Sequence, residues 1–459
     1  MGDKYQSLDD YKLACGLIIR NQADSTSEDI GMLVGTSVRR VAIVGGVRIP
    51  FARGNGAYAE VGTQDMLTAV LRSIVERYGL HGQRLDEVAA GAVIKHSSQW
   101  NLTREAVLGS GLAAETPGLD LQRACGTGLE AAIVLGNKIA LGQIDSAIAA
   151  GVDSVSDPPV AFPRSFQQLL LHGMRGKTRY QRIKPWLSLR AKHLRPVLPG
   201  FAEPRTGLSM GESAELMVRT WGVVRAEQDQ LAFESHQKAA NAYAQGFYTD
   251  LVQPYRGLTR DNNIRSDISL EKLAKLLPIF DSRERGTLTA GNSTPMTDGA
   301  AGVLLCSEAW ARERDLPVLA YLSFAKVAAV DYVDNKEGLL MAPAYAVPRI
   351  LKDAQLTLED FDYYEIHEAF AGQVLCTLKA WADPVFCREK LKVGGLVGPI
   401  DRAKLNVKGG SLAIGHPFAA TGPRIIVTLA KLLHENRAKR GLISICTAGG
   451  MGVTAVLER

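Results

Sequence analysis

Apolar residues cluster in RRVAIVGGVRIPFAR, Arg39 to Arg53, and the run breaks at glycine, as a buried strand followed by a turn would. From Thr63 to Tyr78 they recur instead at helical spacing behind an acid-rich start, which predicts an amphipathic helix. VAAGAVIK then reads as a strand, LTREAVLGSGL as a helix, and DLQRAC as a strand leading into a turn at Cys125. A helix from Gly128 to Leu141 and a strand in IDSAIAAGVDS follow. This alternation predicts a layered α/β sheet with helices on both faces.

The pattern returns near the end of the chain. HPFAATGPRIIVTLAKLLHENRAKRGLISICTAGG, His416 to Gly450, repeats the order of CGTGLEAAIVLGNKIALGQIDSAIAAG: a small-residue turn, a helix, a polar link, and a strand ending in alanine and glycine. Two similar α/β halves are expected. Between them, about residues 155–283, the chain is more polar, basic at first and then helical over Ala226 to Gln245, as an insertion in the first half would be. The domains are therefore drawn as an appendage at 1–37, a first α/β domain at 38–154 and 284–314, an inserted domain at 155–283, and a second α/β domain at 315–459.

Composition narrows the class. With 459 residues, 46% hydrophobic and 22% charged, the chain can bury large cores, so disorder is not the default. The net charge of +5 is mild but uneven, because Arg164 to Ala202 holds Lys and Arg with no Asp or Glu. Six scattered cysteines without a CxxC pair suggest neither a zinc site nor a disulfide framework and suit a reducing cytoplasm. No apolar run approaches the roughly 18 residues of a membrane span, and Asp3, Asp9 and Asp10 make the start unlike a signal peptide. A soluble, cytoplasmic protein is expected. In the appendage a short helix is expected around Leu8 to Ile18.

The candidate chemistry lies in four small-residue stretches. In QRACGTGLEAAIVLG the thiol of Cys125 stands ahead of a helix, whose unpaired N–H groups favour a thiolate and lower its pKa. EIHEAFAGQ carries His367, NVKGGSLAIGHPFAATG carries His416, and ICTAGGMG carries Cys446 at the carboxyl end of a strand, where α/β sheets collect ligands. Each alone is explained by packing or loop structure. Two thiols and two histidines in four such loops are not, and His416 becomes the base available to Cys125.

These stretches, in this order, resemble the thiolase family: a nucleophilic cysteine, an (N or H)EAF box, a GHP box and a cysteine-bearing glycine strand. The resemblance runs from about Val41 onward through SMGESAE, TLTAGNSTPMTDGAA and the closing MGVTAVLE. The HEAF form, with His367 where most thiolases have asparagine, is similar to the branch containing the thiolase subunit of the mitochondrial trifunctional enzyme and its bacterial counterparts. Related ketosynthases lack the second cysteine of the last box.

The resemblance implies a thiolase fold: two βαβαβαββ halves in a five-layer αβαβα sandwich, with an inserted loop domain. It implies that Cys125 takes the acyl group, His416 activates it, and Cys446 moves a proton at the substrate α-carbon or the CoA thiol. His367 would hold a water that forms one oxyanion hole with His416, its imidazole titrating near neutral pH. The backbone N–H groups of Cys125 and Ala448 would contribute to the other. Thr294, Arg265 and Met210 would contact CoA. The family's CxS and CxG boxes read Cys125-Gly126-Thr127 and Cys446-Thr447-Ala448 here, which keeps the N–H groups.

The activity so implied is thiolytic cleavage of 3-oxoacyl-CoA in fatty-acid β-oxidation, with coenzyme A as substrate and no permanently bound cofactor or metal. An acetoacetyl-CoA thiolase and a non-catalytic acyl-CoA- or lipid-binding relative are the alternatives. A homodimer or tetramer is implied. The basic, leucine-rich segment Ser165 to Phe201 is expected to dock onto a hydratase/dehydrogenase partner chain or an anionic membrane surface, or to cover the acyl tunnel. Nucleic acid is not an expected partner.

Overall fold

The computed structural model describes residues 38–200, 202–281 and 286–459. The helix expected near Leu8 to Ile18 lies outside the described residues. The first half contains β1 (Val41–Arg48), the two-residue β2 (Ala52–Arg53), β3 (Glu87–Ala90), β4 (Gly118–Asp120), β5 (Ser146–Asp153) and β6 (Thr297–Ser307). The second contains β7 (Ala320–Ala329), β8 (Tyr363–Ile366), β9 (Arg440–Thr447) and β10 (Met451–Glu458).

Strand order exposes the repeat. The hydrogen-bonded path is β4-β3-β5-β6-β1-β7-β10-β9-β8, with β2 on β6. In the first half β3 and β5 are parallel, β5 and β6 antiparallel, and β6 and β1 antiparallel. In the second, β8 and β9, β9 and β10, and β10 and β7 repeat that series. Even β4 has a shadow, the parallel bridge from Tyr364 to Leu405. The halves join at a narrow seam where Ala42 faces Tyr321 and Ile43 faces Ala320.

Side-chain alternation makes the layers. Val41 and Ile43 enter a central apolar cluster, while Ala42 and Val44 enter an outer one beneath the helices Thr63–Arg77 and Leu102–Ser110. On β9, Ile443 and Ile445 face the same central cluster, and Leu442 and Cys446 face a second outer cluster with the helices Ala342–Ala354 and Ala371–Ala382. The central layer is the helix pair Thr127–Ala140 and Thr421–Glu435, the second buried from Thr421 through Leu433. The pair meets on glycine. A Cβ on Gly128 would lie 2.2 Å from Pro423 Cδ, and one on Gly422 2.2 Å from the Leu129 nitrogen. Outer helices, half-sheet, central helices, half-sheet and outer helices are the five layers expected.

Two strands are shorter than the residue pattern predicts. β3 stops at Ala90, because Gly91 passes so close to Leu121 that an added Cβ would sit 1.9 Å from its carbonyl oxygen. β4 stops at Asp120, and Gln122 to Cys125 form a turn with Ala124 at φ 44°. The expected helix over Ala226 to Gln245 spans Arg225–Ala244. No helix among the described residues is long and apolar enough to cross a membrane.

Candidate active site

The parallel strands of both halves end at one place, as ligand sites of α/β sheets do. Cys125 follows β4, His367 follows β8 directly, and Cys446 sits one residue before the end of β9. His416 precedes the second central helix. Cys125 Sγ and a ring nitrogen from each of His367 and His416 lie within 4.8 Å of one another. The two imidazole centroids are 4.0 Å apart. Cys446, its thiol held well above the ordinary range by burial, is close enough to Cys125 for that neighbour to raise it further. All four side chains are buried, Cys125 with 9% of its surface exposed against 1% for Cys446.

The nucleophile turn is held by its neighbour. Thr127 Oγ1 accepts from the Arg123 N–H at 2.8 Å and donates to the Ala124 carbonyl at 2.7 Å, so the threonine of the Cys125-Gly126-Thr127 box ties the turn that presents the thiol. The positive φ of Ala124 marks local strain, which this tie helps to maintain. Cys125 stands two residues ahead of the helix beginning at Thr127. The expectation of a lowered thiol pKa is corrected: burial pushes Cys125 up to about 12, although the N–H groups of Ala448 and of Cys125 itself point at its sulfur and pull the other way. Desolvation outweighs the helix end. The resting group is a thiol.

The same force acts on the histidines with opposite sign. Burial holds His416 down at about 3, assisted by the Arg424 charge. His367 is held well below its ordinary value by burial, His416 and Arg424, so it does not titrate near neutral pH as the residue type alone suggested. Both rings are neutral at rest. Their Nδ1 atoms are engaged, His367 with Ser411 Oγ at 2.8 Å and His416 with Thr421 Oγ1 at 2.7 Å, and neither Nε2 has a partner among the described residues. Those two nitrogens are free to meet a ligand.

Around them the loops are stapled together. Glu368 accepts from Ser235 Oγ, Asn406 Nδ2 and the Leu412 N–H, and Asn406 also pairs with both backbone groups of Ile366. The HEAF loop is thereby fixed to the loop that leads to His416. Asp153, at the end of β5, accepts from the N–H groups of Val93, Ile94 and Ala419, fastening the GHP loop to the first half. Thr297 Oγ1 accepts from the His416 N–H at 2.8 Å. Past Cys446, Gly449 donates to Glu203 Oε1 at 2.7 Å, and Tyr332 donates to Glu203 Oε2 at 3.2 Å. Tyr332 in turn lines a cavity of about 450 Å³ with Leu208, Leu216, Met217, Trp221 and Leu339.

The residues expected to touch CoA are dispersed. Thr294 donates its hydroxyl to the Ser411 carbonyl at 3.0 Å, which leaves its oxygen as an acceptor. Arg265 is exposed and borders a small depression with Arg53, His236, Ser293 and Leu412. Met210 opens the helix Met210–Thr220 and packs on the outer apolar cluster, and no contact in the structure ties it to the four central side chains. In the same motif Ser209 and Glu212 form a capping box, and Glu215 accepts from the Thr287 and Leu288 N–H groups. SMGESAE is thus largely a structural fastening. Residue-type reasoning passed over Ser411, Thr421, Arg424, Asp153, Thr297 and Glu203. Ser411, Thr421 and Thr297 lie in the small-residue motifs already singled out, so for them polar residues amid small ones were the available signal.

A protonated thiol facing a neutral imidazole, a second thiol, and two converging N–H groups on a duplicated α/β fold are suited to acyl transfer. The family model described as thiolase, N-terminal domain, matches residues 41–309, and that described as thiolase, C-terminal domain, matches 316–459. The chain belongs to the thiolase family. It is 41% identical over 426 residues to a 3-ketoacyl-CoA thiolase of Yersinia pestis (strain Pestoides F), covering 91% of this chain and 97% of the relative. A 3-ketoacyl-CoA thiolase of Yersinia pseudotuberculosis serotype O:1b (strain IP 31758) matches to the same extent. Among solved structures, the crystal structure of the Bacillus anthracis acetyl-CoA acetyltransferase superposes with a TM-score of 0.76 at 30% identity, covering 92% of this chain and 99% of that one.

Proposed function

We propose that the chain is a 3-ketoacyl-CoA thiolase, an acyltransferase that cleaves 3-oxoacyl-CoA with CoA to acetyl-CoA and a shortened acyl-CoA in fatty-acid β-oxidation. The observation that carries the site assignment is the approach of Cys125 Sγ and the two imidazoles within 4.8 Å. In this reading the Cys125 sulfur attacks the C3 carbonyl while its proton passes to His416. Neither ion is stable beforehand, given a thiol near 12 and an imidazole near 3, so proton transfer accompanies C–S bond formation and the charge moves to the substrate oxygen.

That oxygen is received by the N–H groups of Cys125 and Ala448, which already converge on the sulfur. Collapse breaks the C2–C3 bond and leaves acyl on Cys125. The electron pair goes to the acetyl-CoA enolate, whose oxygen meets the two imidazoles. Cys446 protonates C2, then takes the proton of the incoming CoA thiol as its sulfur attacks the acyl-enzyme. Departure of Cys125 with the proton held by His416 closes the cycle. CoA is a substrate here, and the reading includes no permanently bound cofactor or metal.

The cavity linked to the site through Glu203 and Tyr332 supports a chain longer than acetoacetyl. Comparing kcat/KM for acetoacetyl-CoA with that for a long-chain 3-ketoacyl-CoA tests this. Preference for the long chain is expected, and strong preference for acetoacetyl-CoA would favour the short-chain alternative.

The departure of the chain after β5 and its return at the neighbouring β6 support a partition into a first domain at 38–154 and 284–314, an inserted domain at 155–283 and a second domain at 315–459. A cytoplasmic, oligomeric enzyme is proposed. Between Arg164 and Leu198 the chain exposes Leu171, Met174, Ile183, Leu187 and Leu198 among nine Lys and Arg, and this supports docking onto an anionic bilayer surface. Replacing Leu169 to Leu194 by a short linker should abolish salt-sensitive binding to anionic vesicles while acetoacetyl-CoA thiolysis persists. Loss of co-purification with a hydratase/dehydrogenase chain instead would identify a protein partner. Loss of thiolysis alone would return the segment to the wall of the active site.

A further inference from the structure

The two neighbouring histidines differ in what stands behind them. Ser411 Oγ lies 2.8 Å from His367 Nδ1 and accepts a hydrogen bond from Arg424 Nη2 at 2.9 Å. Ser411 and His367 are fully buried, and Arg424 is 1% exposed. A guanidinium has donors and no lone pair to offer, so the direction of that bond is fixed. The hydroxyl has one proton, and its remaining partner is His367 Nδ1.

Two arrangements follow from this count. If Nδ1 carried the imidazole proton, Ser411 Oγ would accept from both Arg424 and His367, and its own proton would point into a buried space with no acceptor. An unsatisfied buried donor costs on the order of 1–3 kcal/mol. If the proton is on Nε2 instead, Arg424 donates to Ser411 and Ser411 donates to Nδ1, so the hydroxyl is fully paired and only Nε2, which lacks a partner among the described residues in either arrangement, is left open. The third form, imidazolium, is opposed by burial and by the charge of Arg424 itself. Thr421 has no such donor behind it, its hydroxyl meeting only His416 Nδ1. Among the described residues no charged donor fixes the direction of that bond, so His416 is not held to one tautomer by a second group.

We propose that Arg424 and Ser411 are positioning residues that lock His367 as its Nε2–H tautomer, making the ring itself a hydrogen-bond donor to the thioester oxygen of the substrate. His367 Nε2 is buried and without a partner among the described residues, so its proton is available to that oxygen directly. The role differs from that of a group holding a bridging water. A donor that cannot become an acceptor is suited to an oxygen that gains charge as the enolate forms. The chain of donors running from a buried guanidinium polarises each bond in turn. The functional part rests on the thiolase reading, whereas the tautomer can be read without turnover.

Nitrogen NMR of the resting protein labelled with ¹⁵N-histidine, at pH 7, tests the lock directly. The His367 resonances, assigned by their disappearance in His367→Asn, should show a protonated Nε2 and an unprotonated Nδ1. A proton on Nδ1, or an even mixture of tautomers, overturns the proposal whether or not the chain is an active thiolase. A double-mutant cycle separates positioning from general support. Ser411→Ala should lower kcat for thiolysis about tenfold, a barrier change of about 1.4 kcal/mol, with KM little changed. In the His367→Asn background, where a side-chain amide donates without a tautomer to choose, the same change should cost less than about twofold. Equal losses in the two backgrounds would mean that Ser411 merely supports the loop.

Discussion

In the first half of the molecule the chain leaves β5 and returns as β6 only after residues 154–296, whereas in the second half β9 reaches β10 through Ala448, Gly449 and Gly450. The strand order around these connections is otherwise the same. The first half contributes the nucleophile turn and the long segment beside the site. The second contributes both histidines and the other thiol. One scaffold used twice thus brings two different loop sets to the same point, because the central helices cross where Gly128 and Gly422 let their backbones touch. Division of labour resides in the loops, and proximity resides in the repeat.

The largest effect should come from removing the first half's contribution. Cys125→Ala is expected to lower thiolysis on the order of 10⁴-fold or more while leaving the circular dichroism and the unfolding midpoint near those of wild type. Residual turnover close to wild type would shift the nucleophile to the second half. Next comes His416→Ala, for which steady-state assay should show a kcat loss of about 10²- to 10⁴-fold, the usual range for a general acid–base. His367→Ala should cost about 100- to 1000-fold in kcat, as loss of one oxyanion donor does, with a smaller change in KM. An unchanged kcat would remove His367 from the chemistry.

Proximity is tested on the repeat. Gly422→Ala places a methyl 2.2 Å from the Leu129 nitrogen, against backbone that cannot rotate away. Chemical denaturation should reveal a loss of about 2–3 kcal/mol, the scale of an overpacked core. A neutral result would mean that the central pair has slack.

The smallest effect at neutral pH is one that appears only on acidification. His416 is lowered from 6.5 to about 3 on folding, so its neutral form contributes stability that is present above pH 6.5 and is lost as pH falls towards 3. Relative to His416→Gln, wild type should lose about 1.4 kcal/mol per pH unit between pH 6 and 4 in urea titrations. Asp153 and Glu365, raised by burial to about 7 and about 8, act with opposite sign and fade as pH rises through those values. The comparison with a variant cancels them.

The repeat and the four side chains that meet at the strand ends were legible in the residues because both depend on local pattern: a turn of small residues, a helical stripe, a strand. The strand ends were not, since β3 and β4 stop where Gly91 meets Leu121, a contact between distant segments. The pKa of Cys125 was misread for a related reason. A helix start is visible in sequence, while the burial that overrides it belongs to the assembled layers. Ser411 lies in the stretch carrying His416, and Arg424 lies just beyond its end, 13 positions on from Ser411, yet only folding turns their bond into a constraint on His367.

The account turns on a nucleophile from one half working against acid–base groups from the other, and the bond that forms between substrate and protein reports this most directly. The protein should be incubated with a 3-ketoacyl-CoA in the absence of free CoA, quenched in acid, digested and analysed by mass spectrometry. The predicted result is a shortened acyl group on the peptide carrying Cys125, released as acetyl-CoA leaves and removed again when CoA is added. Acylation confined to the peptide carrying Cys446 would contradict the account.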